Sequence, residues 1–132
     1  MAFRVPHRIL VVEDSTELRQ LLVRLFTDAG FEVSEACSVA GALAALTNVS
    51  PDIVITDGLL PDATFEFIPT MKLRHPMMPV IVLSGDPEAA RLLLPGADEV
   101  LGKPVSFPEI IQTIFRFIDA VEADRFNGGL AR

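Results

Sequence analysis

Five side chains able to do chemistry stand where short apolar runs stop. Glu13 and Asp14 follow Ile9-Leu10-Val11-Val12, and Asp57 follows Asp52-Ile53-Val54-Ile55-Thr56. Ser84 follows Pro79-Val80-Ile81-Val82-Leu83, and Lys103 comes after Val100-Leu101-Gly102. Any one of them alone reads as a solvated strand end. Together they are three carboxylates, a hydroxyl and an ammonium. Carboxylates brought close repel, and each raises the pKa of the others. A fold that gathers Glu13, Asp14 and Asp57 therefore calls for a cation. Hard oxygen ligands, with waters completing an octahedron, suit Mg2+, with Mn2+ as the alternative. Such an ion invites a phosphoryl group, whose equatorial oxygens the metal and Lys103 would neutralise. Ser84 would donate a hydrogen bond to one of them. One carboxylate would be the nucleophile and form an acyl phosphate. Asp57 is best placed, alone at the end of a central strand, whereas Glu13 and Asp14 are adjacent and suited to hold metal. The Leu59 backbone carbonyl would add another oxygen ligand.

The strands that carry these residues alternate with stretches of helical periodicity. Ser15 caps a first helix with Leu18, Leu21, Leu22, Leu25 and Phe26 at packing spacing, and Gly30 stops it. Phe31 and Val33 open a second, weaker strand. Ser38 caps a second helix with Val39, Leu43 and Leu46 on one face. A third helix is expected over 65–73, starting late because Pro69 is tolerated only near a helix start. A short fourth helix over 87–94 ends at Pro95-Gly96. The last helix, 107–121, offers Phe107, Ile110, Ile111, Ile114, Phe115 and Ile118 for packing. Five βα units make an α/β protein, a doubly wound (βα)5 three-layer sandwich with a parallel five-stranded sheet covered on both faces. Sites in such folds lie beyond the carboxyl ends of the strands, where all five residues fall. A single domain over 1–126 is expected, with 127–132 as a flexible C-terminal tail containing Gly128-Gly129.

Composition narrows the function. Half the residues are hydrophobic and 22% are charged, so the chain can build a core. Eleven Lys and Arg against eighteen Asp and Glu give a net charge of −7. That balance disfavours direct nucleic-acid binding and anionic membrane surfaces. No apolar run approaches the ~20 residues of a membrane span, and the N-terminus lacks a signal-peptide pattern. Cys37 is the single cysteine, so no internal disulfide forms. A cytoplasmic protein is expected. Cys37 reads as a small half-buried helix residue, His7 and His75 as surface-loop residues, and Met71, Met77 and Met78 as packing. Phe117 reads as packing on the sheet edge; an exposed Phe117 or Phe126 would instead be the contact for a partner or for a second copy in a homodimer.

The runs ending at Asp14, Asp57 and Ser84, together with Leu60-Pro61, Gly96-Ala97-Asp98 and Lys103-Pro104, resemble the receiver domain of two-component response regulators over nearly the whole chain. The resemblance implies a flavodoxin-like sheet of order 2-1-3-4-5. It implies that Glu13 and Asp14 organise Mg2+, that Asp57 is the phosphoacceptor, that Ser84 turns toward the phosphoryl group, and that Lys103 is the family's lysine, followed by an often cis bond to Pro104. The phosphoryl group would come from a histidine kinase or phosphotransfer protein, or from a small acyl phosphate. The domain would only phosphorylate itself and slowly lose the group again. Phosphorylation would shift a two-state population and so change partner binding.

Three places depart from the family pattern. Val100 stands where the family has Tyr or Phe, the stretch between Ser84 and Lys103 is short in the fourth helix, and Asp62-Ala63-Thr64-Phe65 lacks a glycine. All three touch the signalling surface and none touches the five site residues. Phosphorylation with atypical output coupling is therefore expected. The basic residues are scattered and no DNA-binding element follows, so output passes through a downstream protein target or an effector domain in a longer chain. The alternative is a pseudo-receiver, an interaction or dimerisation module without phosphorylation. A flavin carrier is disfavoured because Glu13 and Asp14 would repel the cofactor's phosphate.

Overall fold

Successive side chains of a strand point to opposite faces of the sheet, so a strand whose consecutive residues are buried must be covered on both. Three strands here are of that kind: β1 (Arg8–Val12), β3 (Ile53–Asp57) and β4 (Val80–Ser84). They occupy the middle of the sheet. The computed structural model, which describes residues 7–130, has one parallel sheet of order β2-β1-β3-β4-β5. The edges are β2 (Glu32–Ala36), in which only Ala36 is buried, and the four-residue β5 (Glu99–Gly102). The helices are α1 (Thr16–Asp28), α2 (Val39–Ala45), α3 (Phe67–Arg74), α4 (Pro87–Leu93) and α5 (Phe107–Leu130).

The alternation divides the core in two. Ile9, Val11, Ile53, Ile55, Ile81 and Leu83 pack against α1 through Leu22 and Phe26, and against α5 through Ile110, Ile114 and Ile118. Leu10, Val12, Val54, Val80 and Val82 pack the other way, against Ala42 of α2, Phe67, Ile68 and Met71 of α3, and Ala90 of α4. Fully burying such an aliphatic or aromatic side chain stabilises the fold by roughly 1.5–3 kcal/mol. With both faces committed, register slips are costly and the strand ends are held in one plane.

Local chemistry sets the helix starts. The Ser15 hydroxyl accepts the Leu18 N–H at 3.3 Å, and Ser38 accepts that of Gly41 at 3.0 Å. α3 does begin late, with Pro69 as its third residue, where no N–H is needed. Asp86 caps α4 and Pro87 is its first residue. Gly30 and Gly96 turn the chain after α1 and α4 with φ of 101° and 98°, a region favouring glycine.

Several expectations need correction. α5 continues past residue 121 to Leu130, so the boundary expected after 126 falls inside the helix. Leu21 is exposed, because α1 presents a narrower stripe than its five apolar residues suggest. In α5 one ring departs from its expected place. Phe117 shares the face of Ile114 and Ile118 and packs on the core, whereas Phe115 is exposed, with its ring centroid 5.7 Å from that of Phe31. Phe126 has its side chain outside the described residues. Cys37 is exposed in the bend after β2, not half-buried in a helix. His7 and His75 are half-buried: His7 bonds Glu122 of α5 at 3.2 Å, and His75 ends α3 with Nε2 3.3 Å from the Leu46 carbonyl. Met71 and Met78 are buried as packing residues, but Met77 is exposed. Among the described residues, no helix is long and apolar enough to cross a membrane.

Candidate functional site

Main-chain bonds tie the carboxyl ends of neighbouring strands, β1 to β2, β3 to β4 and β5 to β4. The Glu13 N–H donates to the Ala36 carbonyl at 3.0 Å, Gly58 to Leu83 at 2.9 Å, and Lys103 to Ser84 at 2.7 Å. This lattice places the side chains of neighbouring strands in one small volume. Oxygens of Glu13, Asp14 and Asp57 lie within 4.8 Å of one another. Lys103 Nζ reaches in from the end of β5, donating to Asp57 Oδ1 at 3.0 Å and lying 4.0 Å from Glu13 Oε1. The Lys103–Pro104 peptide bond is cis.

The carboxylates differ in setting. Glu13 is only 3% exposed, and Asp57 is also buried, whereas Asp14 is open to solvent. Burial pushes the Glu13 carboxyl above the usual range, and the neighbouring Asp57 charge pushes the same way. The Ser15 N–H, donating to Glu13 Oε2 at 3.0 Å, and the Lys103 ammonium pull it down. One ammonium among three carboxylates leaves a surplus of negative charge. The donor set is oxygen only, with two ligands held by packing and one open to solvent. That chemistry fits a hard divalent cation that keeps part of its water shell.

Ser84 ends β4 next to this group. Its Oγ accepts the Asp86 N–H at 3.0 Å, which leaves the hydroxyl proton free for another acceptor. Gly58 presses on it: a Cβ at residue 58 would lie 3.0 Å from Ser84 Cβ and 3.1 Å from Val82 Cγ1. Leu59, two residues beyond Asp57, is exposed on the β3–α3 loop. Val100 is buried beside Val82 on the α4 side of the sheet, so an aliphatic side chain fills the place the resemblance gives to an aromatic one.

Three residues brace the strands and loops around this site, a role the sequence did not give them although Asp62 and Asp98 stand in stretches it singles out. Arg19, one turn into α1, donates to the Glu13 carbonyl at 2.8 Å and pairs with Glu35 of the β2 segment at 3.0 Å. Asp62, in the loop after β3, accepts the N–H groups of Val39 and Ala40 at 3.0 and 3.1 Å. Those two bonds, the Val39 bond foremost, hold its carboxyl below the usual range. Asp98 accepts the Val80 N–H at 2.8 Å and pairs with Lys72 of α3, which fixes the entry to β4. The spacing from Ser15 to Arg19 returns one helical turn toward the strand end, and would have been the clue for Arg19.

A family model described as the response regulator receiver domain matches residues 9–115, which include all five site residues. The transcriptional regulator NtrC of Bradyrhizobium sp. (strain RP501 Parasponia) is 34% identical over 112 residues, covering 82% of this chain and 23% of that protein. The phosphate regulon regulator PhoB of Escherichia coli (strain K12) is 32% identical over 117 residues, covering 83% of this chain and 51% of its own. The chain thus spans 23% of the length of the first of these relatives and 51% of the second. A CheY-like receiver domain protein from Methanospirillum hungatei JF-1 superposes with a TM-score of 0.82 at 26% identity, covering 90% of this chain and 98% of the other. The chemotaxis response regulator CheY4 of Vibrio cholerae does so with 0.72 at 28% identity, covering 85% and 98%.

Proposed function

The chain belongs to the response regulator receiver domain family, and on that premise we propose that Asp57 is its phosphoacceptor. The family's role is that of a phosphoacceptor signalling domain acting on itself rather than on external substrates. The observation that carries the assignment to Asp57 is its place between the acidic pair and the lysine, with Lys103 Nζ 3.0 Å from one carboxylate oxygen. The other oxygen is then the one to attack. It bonds to the phosphorus of a phosphohistidine, the P–N bond breaks, and the electron pair leaves with the imidazole, which takes up a proton. The product is an acyl phosphate on Asp57. Lys103 stays beside the new phosphoryl oxygens, and the Ser84 hydroxyl donates its free proton to one of them. Glu13, Asp14, Asp57 and the Leu59 carbonyl would hold Mg2+, or Mn2+ in its place, which neutralises charge on the transferring group when bound.

The donor in this reading is a histidine kinase or a phosphotransfer protein, and the readout is altered binding to a downstream protein or effector domain. The exposed thiol of Cys37 suits a reducing compartment such as the cytoplasm. Beryllofluoride titration followed by fluorine NMR tests the assignment. With Mg2+ present, wild type is expected to show bound fluoride resonances, and Asp57→Ala is expected to show none. Binding that persists in Asp57→Ala, or that needs no divalent ion, would contradict it.

A further inference from the structure

Eight large apolar side chains are exposed among the described residues, and four of them, Leu59, Phe65, Leu92 and Leu93, line a single groove. Scattered exposed apolar residues are ordinary, but convergence on one site is not. The groove lies between the β3–α3 loop and α4, has a volume of about 490 Å³, and includes the buried Leu60 and Leu94 in its lining. Its openness has a local cause. α4 stops after seven residues, and the chain turns away at Pro95-Gly96, so no further turn of helix covers Leu92 and Leu93.

The charges around the groove select its occupant. The loop segment 58–66 carries Asp62 and Glu66 and no basic residue. The segment 84–94 carries Asp86, Glu88 and Arg91. Glu88 is one helical turn before Leu92, whereas Arg91 lines a separate cleft toward β5. Asp62 turns its carboxylate to the α2 N–H groups of Val39 and Ala40, which leaves Glu66, next to Phe65, and Glu88 as the acids beside the groove. The rim is therefore acidic around an apolar centre. Two copies of this chain apposed through it would set like charges against each other, which opposes self-association. We propose that this groove docks an amphipathic helix of a protein partner, with apolar residues on one face and Lys or Arg flanking them. A helix is favoured over a strand because the walls are a helix and a loop, with no open sheet edge. Docking as proposed does not require phosphorylation at Asp57.

The test uses the whole protein without phosphodonor and a fluorescent amphipathic peptide. The peptide carries Leu at i, i+3, i+4 and i+7 and Lys on the flanks, and binding is read by anisotropy at near-physiological ionic strength. Phe65→Ser and Leu93→Ser are each expected to weaken binding about tenfold. Both residues are 66% exposed in the free protein, and circular dichroism checks that the variants fold. Joint Glu66→Lys and Glu88→Lys substitution, a Glu-flanked peptide and a peptide with Ser in place of Leu are each expected to reduce binding as well. Undiminished binding to Phe65→Ser and Leu93→Ser, or equal binding of the Ser-for-Leu peptide, would overturn the proposal. So would a dimer in sedimentation velocity that Leu93→Ser dissolves, since the occupant would then be a second copy.

Discussion

At the scale of single residues, the site is an acidic cluster held together by packing and one ammonium. The buried Glu13 and Asp57 are forced near each other, and Lys103 only partly offsets their charge. Asp57→Ala should therefore unfold at a higher temperature than wild type in metal-free buffer, by a few degrees. Adding Mg2+ to wild type should raise the midpoint by mass action, roughly 1.4 kcal/mol when free ion is tenfold above Kd. The variant should show a smaller response. Calorimetry with and without Mg2+ checks both, and a variant less stable than wild type without metal would speak against repulsion in the cluster. Arg19→Gln removes the clamp on the Glu13 carbonyl. It should destabilise the fold by about 1–2 kcal/mol and weaken Mg2+ binding, since Glu13 would no longer be held in line. Equal Mg2+ affinity in a titration would leave Arg19 a purely structural role. The site acids were legible because each stands at the end of an apolar run. Arg19 was not, because its partner depends on how α1 sits over β1, which no local pattern encodes.

At the scale of elements, the two loops beside Asp57 are braced from distant parts of the chain. Asp62 ties the β3–α3 loop to the first turn of α2, where Ser38 already serves the Gly41 N–H. Asp62→Asn leaves one acceptor oxygen for two helix donors and removes the charge, so it should destabilise the fold modestly at neutral pH. The carboxyl titrates lower when folded than when unfolded. Its stabilisation is thus full above the ordinary Asp range and fades as pH falls through the folded value. Urea unfolding should show a gap between wild type and Asp62→Asn at neutral pH that closes in acid; a gap constant with pH would contradict this. Gly58→Ala would push a methyl group to 3.0 Å from Ser84 Cβ. Such overpacking costs typically about 1–3 kcal/mol, and here it would also displace the Ser84 hydroxyl, so slower phosphorylation should accompany the lower stability. Normal rates with an unchanged midpoint would show that the loop yields freely. Helix starts were readable from Ser15, Ser38 and Pro69, whose chemistry is local. Bonds such as Asp62 to Val39, 23 residues apart, form only once the sheet has brought the two loops together. The apolar periodicity of α5 fades after Val121, so no local pattern marks its end, and the backbone stays helical to Leu130.

At the scale of the whole molecule, parallel strands built on unbroken apolar runs required helices on both faces. That requirement was legible in β1, β3 and β4 and sufficed for the architecture. The strand order was not: it came with the family resemblance, and the structure has β2-β1-β3-β4-β5. The surface was the least legible part. Nothing in the sequence distinguishes Phe115 from Phe117 until α5 is docked, and the apolar groove beside α4 exists only because two segments far apart in sequence meet. The site and the surface can be separated experimentally, because the departures at Val100, α4 and the β3–α3 loop leave the residues around Asp57 intact. Intact-mass spectrometry after incubation with acetyl phosphate and Mg2+ tests the phosphoacceptor most directly. Wild type should gain one phosphoryl group, and neither Asp57→Ala nor wild type without a divalent ion should. An adduct of the same size on Asp57→Ala, or none on wild type that still binds beryllofluoride poorly, would contradict phosphoryl transfer to Asp57.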